Sequence, residues 1–244
     1  MNNKKWLGNL AINTYTCHEQ PLQELTKRLQ THCRTTLFFL NDHAFNLAQD
    51  DAAYRRILNA ADLLLNDGVG IKIGARLFGI RLEENLNGTD FIPLFLRLCL
   101  AQGRRVYLLG AKADAVAAAA RRLSNQFAPE LIAGFHHGYF RDVKEMVAEI
   151  NASGADVLIV GMGMPLQEKF IAAQHETLKP AVCIAAGGFI DFASGLKRRA
   201  PKIMRQLNLE WLFRMMLEPR RMWRRNVIGH VRFFTTLFTL KRRR

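Results

Sequence analysis

The sequence predicts an α/β protein: a mainly parallel, Rossmann-like sheet with helices on both faces, followed by a basic amphipathic helical appendage. Three observations carry that reading. Six short apolar runs alternate with longer stretches whose apolar residues recur at helical spacing. The runs are almost continuously apolar, the pattern of strands covered on both faces. The charge is lopsided: of a net +14 over 244 residues, the stretch 191–244 holds fifteen Lys/Arg against three Asp/Glu and so supplies +12.

The predicted strands are Thr36–Asn41, Asp62–Asn66, Arg105–Gly110, Leu131–Phe135, Asp156–Gly161 and Ala181–Gly187. Between them, Ala52–Ala61, Asp90–Gln102, Ala113–Gln126, Val143–Ser153 and Gln167–Thr177 read as helices. Residues 1–194 form the expected α/β domain. Residues 195–244 form the appendage, with helices over Leu209–Leu217 and Arg220–Leu240 interrupted at Glu218-Pro219. Hydrophobic residues at 49% and charged residues at 23% suit a globular chain and exclude a disordered one.

No apolar run is long enough for a signal peptide or for the roughly 20 residues of a membrane span. A cytoplasmic protein, peripheral on the inner face of the membrane, is the expectation. Cys17, Cys33, Cys99 and Cys183 lie far apart without metal-ligand spacing and read as buried free thiols of a reducing compartment. In the tail, Arg214, Arg221, Arg224 and Arg225 are interleaved with Trp211, Phe213, Trp223 and Val227, and the chain closes on Lys241-Arg242-Arg243-Arg244. Basic and large apolar residues on one amphipathic stretch suit an anionic lipid surface; a solvated basic face is the alternative.

In open parallel sheets ligands bind beyond the carboxyl ends of the strands. Asn41, Asp67 with Gly68, Gly110, Gly161 with Gly163, and Gly187 with Asp191 all follow predicted strands. Asp67 is placed for general-base work or for capping the helix that begins near Val69, and spacing alone leaves both open. Asn87-Gly88-Thr89-Asp90 reads as a turn and a cap. Gly161 to Glu168 is a Gly-rich strand-to-helix turn whose backbone N–H groups suit phosphate oxygens. It is neither a P-loop nor a dinucleotide fingerprint. His136 and His137, adjacent in a strand, point to opposite faces, and no metal or cofactor is called for. Arg214, Arg221 and Arg224 fall near one helical face, fit to grip a diphosphate or to meet water.

Together these turns resemble the TagA/WecG/CpsF family, glycosyltransferase family 26. The resemblance rests on Asn66-Asp67-Gly68-Val69-Gly70, Gly88-Thr89-Asp90, Gly138-Tyr139-Phe140, Gly161 to Glu168, Gly187-Gly188 with Asp191, and Arg199-Ala200-Pro201. Leu209 to Arg214 with Glu218-Pro219, Arg221 and Arg224 completes it. It implies an inverting transfer from a UDP-sugar to a polyprenyl-diphosphate-linked glycan at the membrane, with Asp67 as the base. Asn41, Gly68, Asp90, Gly110, Gly163, Gln167, Gly187 and Asp191 would surround the donor. Arg214, Arg221 and Arg224 would hold the acceptor diphosphate, and a homo-oligomer could mask the appendage. Phe39 and Asn85 depart from the Thr and Arg of many members. The donor sugar is therefore left between N-acetylmannosamine and the glucose of an exopolysaccharide branch, with the wording slightly nearer the latter. A basic nucleic-acid- or lipid-binding protein without catalysis is the rival reading; the apolar residues within the tail argue against nucleic acid.

Overall fold

The structure, a computed structural model, describes residues 3–201, 203, 204, 210–217, 219 and 223–243, and only the backbone at 211, 214 and 224–226. Six strands form one all-parallel sheet in the order β4-β3-β8-β7-β5-β6. They are β3 Thr35–Leu40, β4 Leu63–Asn66, β5 Val106–Gly110, β6 Ile132–His136, β7 Val157–Gly161 and β8 Val182–Ala185. Each coincides with a predicted run to within two residues. The helices α3 Ala52–Ala60, α5 Gly88–Ala101, α6 Ala113–Gln126 and α7 Val143–Ala152 likewise match the helical periodicities, and α8 Leu166–Ala173 stops four residues short of the predicted Thr177.

The alternation of strand side chains sends two separate cores outward from the sheet. Phe38, Leu40, Leu64, Tyr107, Leu109, Leu158 and Val160 point to one face. There they meet α2 Asp42–Asp50, α3, α4 Val69–Leu77, α7 and α8. Leu37, Phe39, Leu63, Leu65, Leu108 and Ile159 point to the other. They meet α1 Glu19–Gln30, α5, α6 and α9 Phe189–Ala193. Thr35 to Leu40 are all buried, which is why the run carries no polar alternation to read.

The hairpin of β1 Lys4–Leu7 and β2 Leu10–Asn13, with α1, α2 and α9, lies outside the predicted list. The hairpin strands have four residues each, and tertiary contacts hold them. The Asn13 side-chain carbonyl accepts the Leu64 N–H at 2.8 Å, and the Asn59 side chain bridges Ala11 N–H and the Asn9 carbonyl at 2.9 and 3.0 Å. The first satisfies a donor on the edge strand β4 that would otherwise face an unpaired edge, and the other two tie the hairpin to α3.

The tail is where packing adds most to the sequence reading. A short helix, Glu210–Leu217, is followed by a π-helical turn, Trp223–Ile228, and a terminal helix, Gly229–Arg242. The terminal helix docks on α2 and α4. Phe233 and Leu237 are fully buried, and the Phe233 ring meets Phe45 edge-on at 4.9 Å between centroids. Asn46 donates to the Gly229 carbonyl at 2.8 Å, Arg232 grips Asp50 at 2.5 and 2.9 Å, and His230 lies 3.1 Å from Asp42. Outward it leaves Val231 and Phe238 exposed. Among the described residues no helix is long and apolar enough to cross a membrane. Of the four free thiols only Cys99 and Cys183 are buried, and burial pushes both up to about 12. Cys33 is exposed and Cys17 half-buried, so burial of all four does not hold. Cys33 lies just past the end of α1, outside either core.

Gly74 of α4 is the close point of the docking: a Cβ there would sit 2.5 Å from Leu237 and 2.9 Å from the Phe233 ring. Gly74→Ala is expected to destabilise the fold by about 1–3 kcal/mol through overpacking. The measurement is urea unfolding, and amide exchange should rise first in 229–242.

Candidate functional site

The carboxyl ends of β4, β3, β8, β7 and β5 lie side by side, so residues distant in sequence share one edge. At about 4.8 Å per strand, the four steps from β4 to β5 span roughly 19 Å. The chain leaves β5 outward to β6 but leaves β7 inward to β8, so the strand order reverses between two neighbours. Such a reversal opens a crevice at the sheet edge.

Glycines stand at the strand ends on either side of the reversal. Gly110 and Gly161 are direct register partners on β5 and β7. Gly110 has φ +140°, and a Cβ on it would run into the Gly161 backbone. No larger residue fits there. Ala111 N–H donates to the Gly161 carbonyl and Gly138 N–H to the Ala111 carbonyl, each at 3.0 Å, which draws the 138–140 turn onto the β5 end. The chain then enters α6 at Lys112.

On β7 the turn runs through Gly163 (φ +82°) and a cis Met164–Pro165 peptide into α8. Gln167 N–H returns to the Gly163 carbonyl at 3.1 Å. The Gln167 side chain is completely buried. Its Nε2 donates to Glu168 Oε1 at 2.8 Å, and its Oε1 accepts the Gly187 N–H at 3.1 Å. One amide thus ties the turn after β7 to the turn after β8. Glu168 is also fully buried, against Tyr54, and burial pushes its carboxyl up to about 7, with Gln167 and Tyr54 drawing it back only in part.

The other end of the edge is more polar. Asn41 caps α2, its Oδ1 accepting the Ala44 N–H at 2.9 Å. That fixes the amide so that Nδ2 faces Asp67, 3.4 Å from Oδ2. The Asp67 N–H donates to the Leu40 carbonyl at 2.8 Å, extending the β3–β4 ladder one residue. The cap position of α4 falls on Gly68, so Asp67 stands one residue before the cap. Gly68 has φ +99° and ψ 157°, a conformation only glycine adopts at low cost. Its N–H donates to Asn85 Oδ1 at 2.6 Å.

Asp90, at the start of α5, is held by Asn87 Nδ2 at 2.9 Å and by Arg199 at 2.8 Å. Arg199 also lies 3.7 Å from Glu210, first residue of the short tail helix, and joins the tail to α5. Asp191 pairs with Lys197. Arg221 lies outside the described residues, as do the side chains of Arg214 and Arg224. Among the described residues no group of three His, Cys, Asp or Glu side chains could hold a metal.

Sequence reasoning found the strand-end turns and two of the side chains that hold them, Asn41 and Gln167. Asn85, Glu168 and Arg199 were visible only as members or departures of motifs, and His230 not at all, because their partners lie far along the chain or are met through burial.

A doubly covered parallel sheet with glycine turns at a strand reversal, and a carboxylate at the carboxyl end of β4, defines an open α/β protein of the class whose ligands meet the sheet at its carboxyl edge. The chain matches the Glycosyl transferase WecG/TagA/CpsF family over residues 6–244 and belongs to that family. It is 34% identical over 175 residues to the N-acetylglucosaminyldiphosphoundecaprenol N-acetyl-beta-D-mannosaminyltransferase of Bacillus subtilis (strain 168), covering 72% of this chain and 68% of that protein. A protein of the same name from Bacillus spizizenii is 32% identical over 80% of this chain and 79% of its own length. One from Staphylococcus aureus (strain NCTC 8325 / PS 47) is 30% identical over 75% and 72%.

Glu168 has a measurable consequence. A carboxyl raised in the fold above its ordinary 4.5 contributes stability that is present below that value and lost as pH rises through about 7. Urea unfolding at pH 5 and pH 8 should show wild type losing more stability than Glu168→Gln between the two, by on the order of 1–3 kcal/mol.

Proposed function

We propose that the chain transfers a hexose from a UDP-sugar to a glycan carried on polyprenyl diphosphate, with inversion at the anomeric carbon, in cell-surface or exopolysaccharide assembly. The relatives' names state an acceptor of that kind and an N-acetylmannosaminyl product. The observation that carries the reading is Asp67. Its carboxylate stands at the β4 end, backbone-anchored to β3 and faced by the Asn41 amide, at the edge that also holds the glycine turns.

In the proposed step Asp67 takes the proton of the acceptor hydroxyl as that oxygen attacks the anomeric carbon. The bond from that carbon to the diphosphate oxygen breaks, and UDP leaves with the electron pair. The Asn41 N–H faces the carboxylate and favours its direction. The turns at Gly110 and Gly163 and the start of α6 offer backbone N–H groups to the donor phosphates. Gly68, Asp90, Gln167, Gly187 and Asp191 shape the donor side. Arg214, Arg221 and Arg224 are assigned to the acceptor diphosphate and to the charge developing on the departing UDP. Residues 195–244 serve as the membrane- and substrate-contacting segment. Exposed Met216, Trp223, Ile228 and Phe238 support this, set among the basic residues that carry most of the net charge. The site of action is then the inner face of the cytoplasmic membrane.

The donor is glucose or N-acetylmannosamine. The ring of Phe39 packs 3.1 Å from where a Cβ on Gly88 would sit and edge-on to Phe91. Phe39 is thus part of the core beneath α5, at a position where many members carry a hydroxyl.

A panel of UDP-sugars assayed with polyprenyl-diphosphate glycans tests the reading. Transfer from one donor is expected. Asp67→Asn should lower kcat by 10³-fold or more while leaving donor affinity and the melting temperature near wild type, and an active Asp67→Asn protein would remove the base assignment.

A further inference from the structure

The base reading leaves one question: what holds Asp67 in place, given that the strand ladder ends beside it. The Asp67 N–H is the last that β3 can receive, through the Leu40 carbonyl. The next N–H, that of Gly68, belongs to a residue at φ +99° whose backbone has turned out of the ladder. It is taken by Asn85 Oδ1 at 2.6 Å.

Asn85 is itself fixed. It sits in a strap, residues 83–87, laid over the end of β4. The Asn66 side chain donates to the Glu84 carbonyl at 2.8 Å, and the Leu86 N–H donates to the Asn66 carbonyl at 3.1 Å. Lys72 of α4 donates to the Glu83 carbonyl at 2.5 Å. The Glu84 carboxylate receives the backbone N–H of His18 at 2.8 Å. Two residues on, Asn87 caps α5 by accepting the Asp90 N–H at 3.0 Å. The strap is thus bonded to β4, α4, α5 and the start of α1, and Asn85 is the side chain by which it reaches the turn behind the carboxylate.

We propose that Asn85 is a positioning residue for the transfer reaction: by holding the Gly68 N–H it sets the Asp67 backbone, and so the direction of the carboxylate across from Asn41. The inference rests on the reading of Asp67 as the base. Asn41 fixes the carboxylate from the β3 side and Asn85 fixes the peptide from the strap side. Losing the second leaves the Asp67–Gly68 peptide free to rotate, which swings the carboxylate while leaving the turns at Gly110 and Gly161 untouched. Misplacement of a reacting group by about 1 Å lowers rates by roughly 10²-fold.

Two variants and a substrate-free measurement test this. Asn85→Ala removes the acceptor. It is expected to lower kcat about 10- to 100-fold with the donor KM within about threefold of wild type, and to speed amide exchange across 66–70. Asn85→Asp keeps an acceptor oxygen but adds a negative charge beside Asp67. Exchange across 66–70 should stay protected. The acidic limb of the kcat/KM profile, measured with whichever of UDP-glucose and UDP-N-acetylmannosamine is transferred, should move to higher pH, because a like charge disfavours ionised Asp67. A residue that merely filled space would lower the melting temperature without moving that limb. Wild-type kcat and exchange in Asn85→Ala, or an unmoved limb in Asn85→Asp, overturns the proposal. An Asp67→Asn control separates the two claims. If it is active, the base reading fails; if it is inactive while Asn85→Ala turns over normally, only the role of Asn85 fails.

Discussion

Burial of both faces of a six-stranded parallel sheet is the constraint on which the rest of this molecule depends. Parallel strands cannot be joined by tight turns, so each must be followed by a crossover that covers one face or the other. The two cores, one under α2, α3, α4, α7 and α8 and one under α1, α5, α6 and α9, are the result. Covering both faces leaves the carboxyl edge as the place where polar groups of the sheet can meet a ligand. Asn41, Asp67, Gly110, Gly161 and Gly187 lie there because their strands end there.

That edge has two chemically distinct ends, for backbone reasons. At β5 and β7 the register pairs Gly110 with Gly161, and the absence of two side chains lets the two backbones pack against each other at the strand ends. At β3 and β4 the ladder is extended by one bond and then closed by side-chain amides, Asn41 from one side and Asn85 from the other. Between them the Gln167 amide bridges the β7 and β8 turns, so motion of either turn is felt by its neighbour. It is completely buried and its neighbour Glu168 carries a carboxyl away from water; such a polar pair tolerates little rearrangement.

The tail is joined to the body in two different ways. The terminal helix is a piece of core, with Phe233 and Leu237 sealed against α2 and α4 beside the polar end of the edge. The short helix Glu210–Leu217 touches the body through charge, Arg199 shared between Glu210 and Asp90. The first attachment is apolar burial; the second is a charged group drawn largely out of water, and it adjoins α5, the helix anchored to the strap that carries Asn85.

The six strands and five of the helices were legible because hydrophobic periodicity is a local signal: TLFFLN, RVYLLG and DVLIVG announce strands covered on both faces wherever they occur. The strand-end residues were legible for the same reason, since a parallel sheet gathers its carboxyl ends whatever the strand order. The family resemblance likewise rested on short motifs in fixed order. The order β4-β3-β8-β7-β5-β6, and with it the pairing of Gly110 with Gly161, was decided only in the tertiary structure, because strand neighbours are chosen by packing between segments far apart in the chain. So were the hairpin that closes the β4 edge, the seating of the basic tail's last helix in the core, and the reach of Asn85 to Gly68. Each depends on a hydrogen bond or contact between residues that the sequence separates, and a linear pattern carries the propensity of each partner but not their meeting.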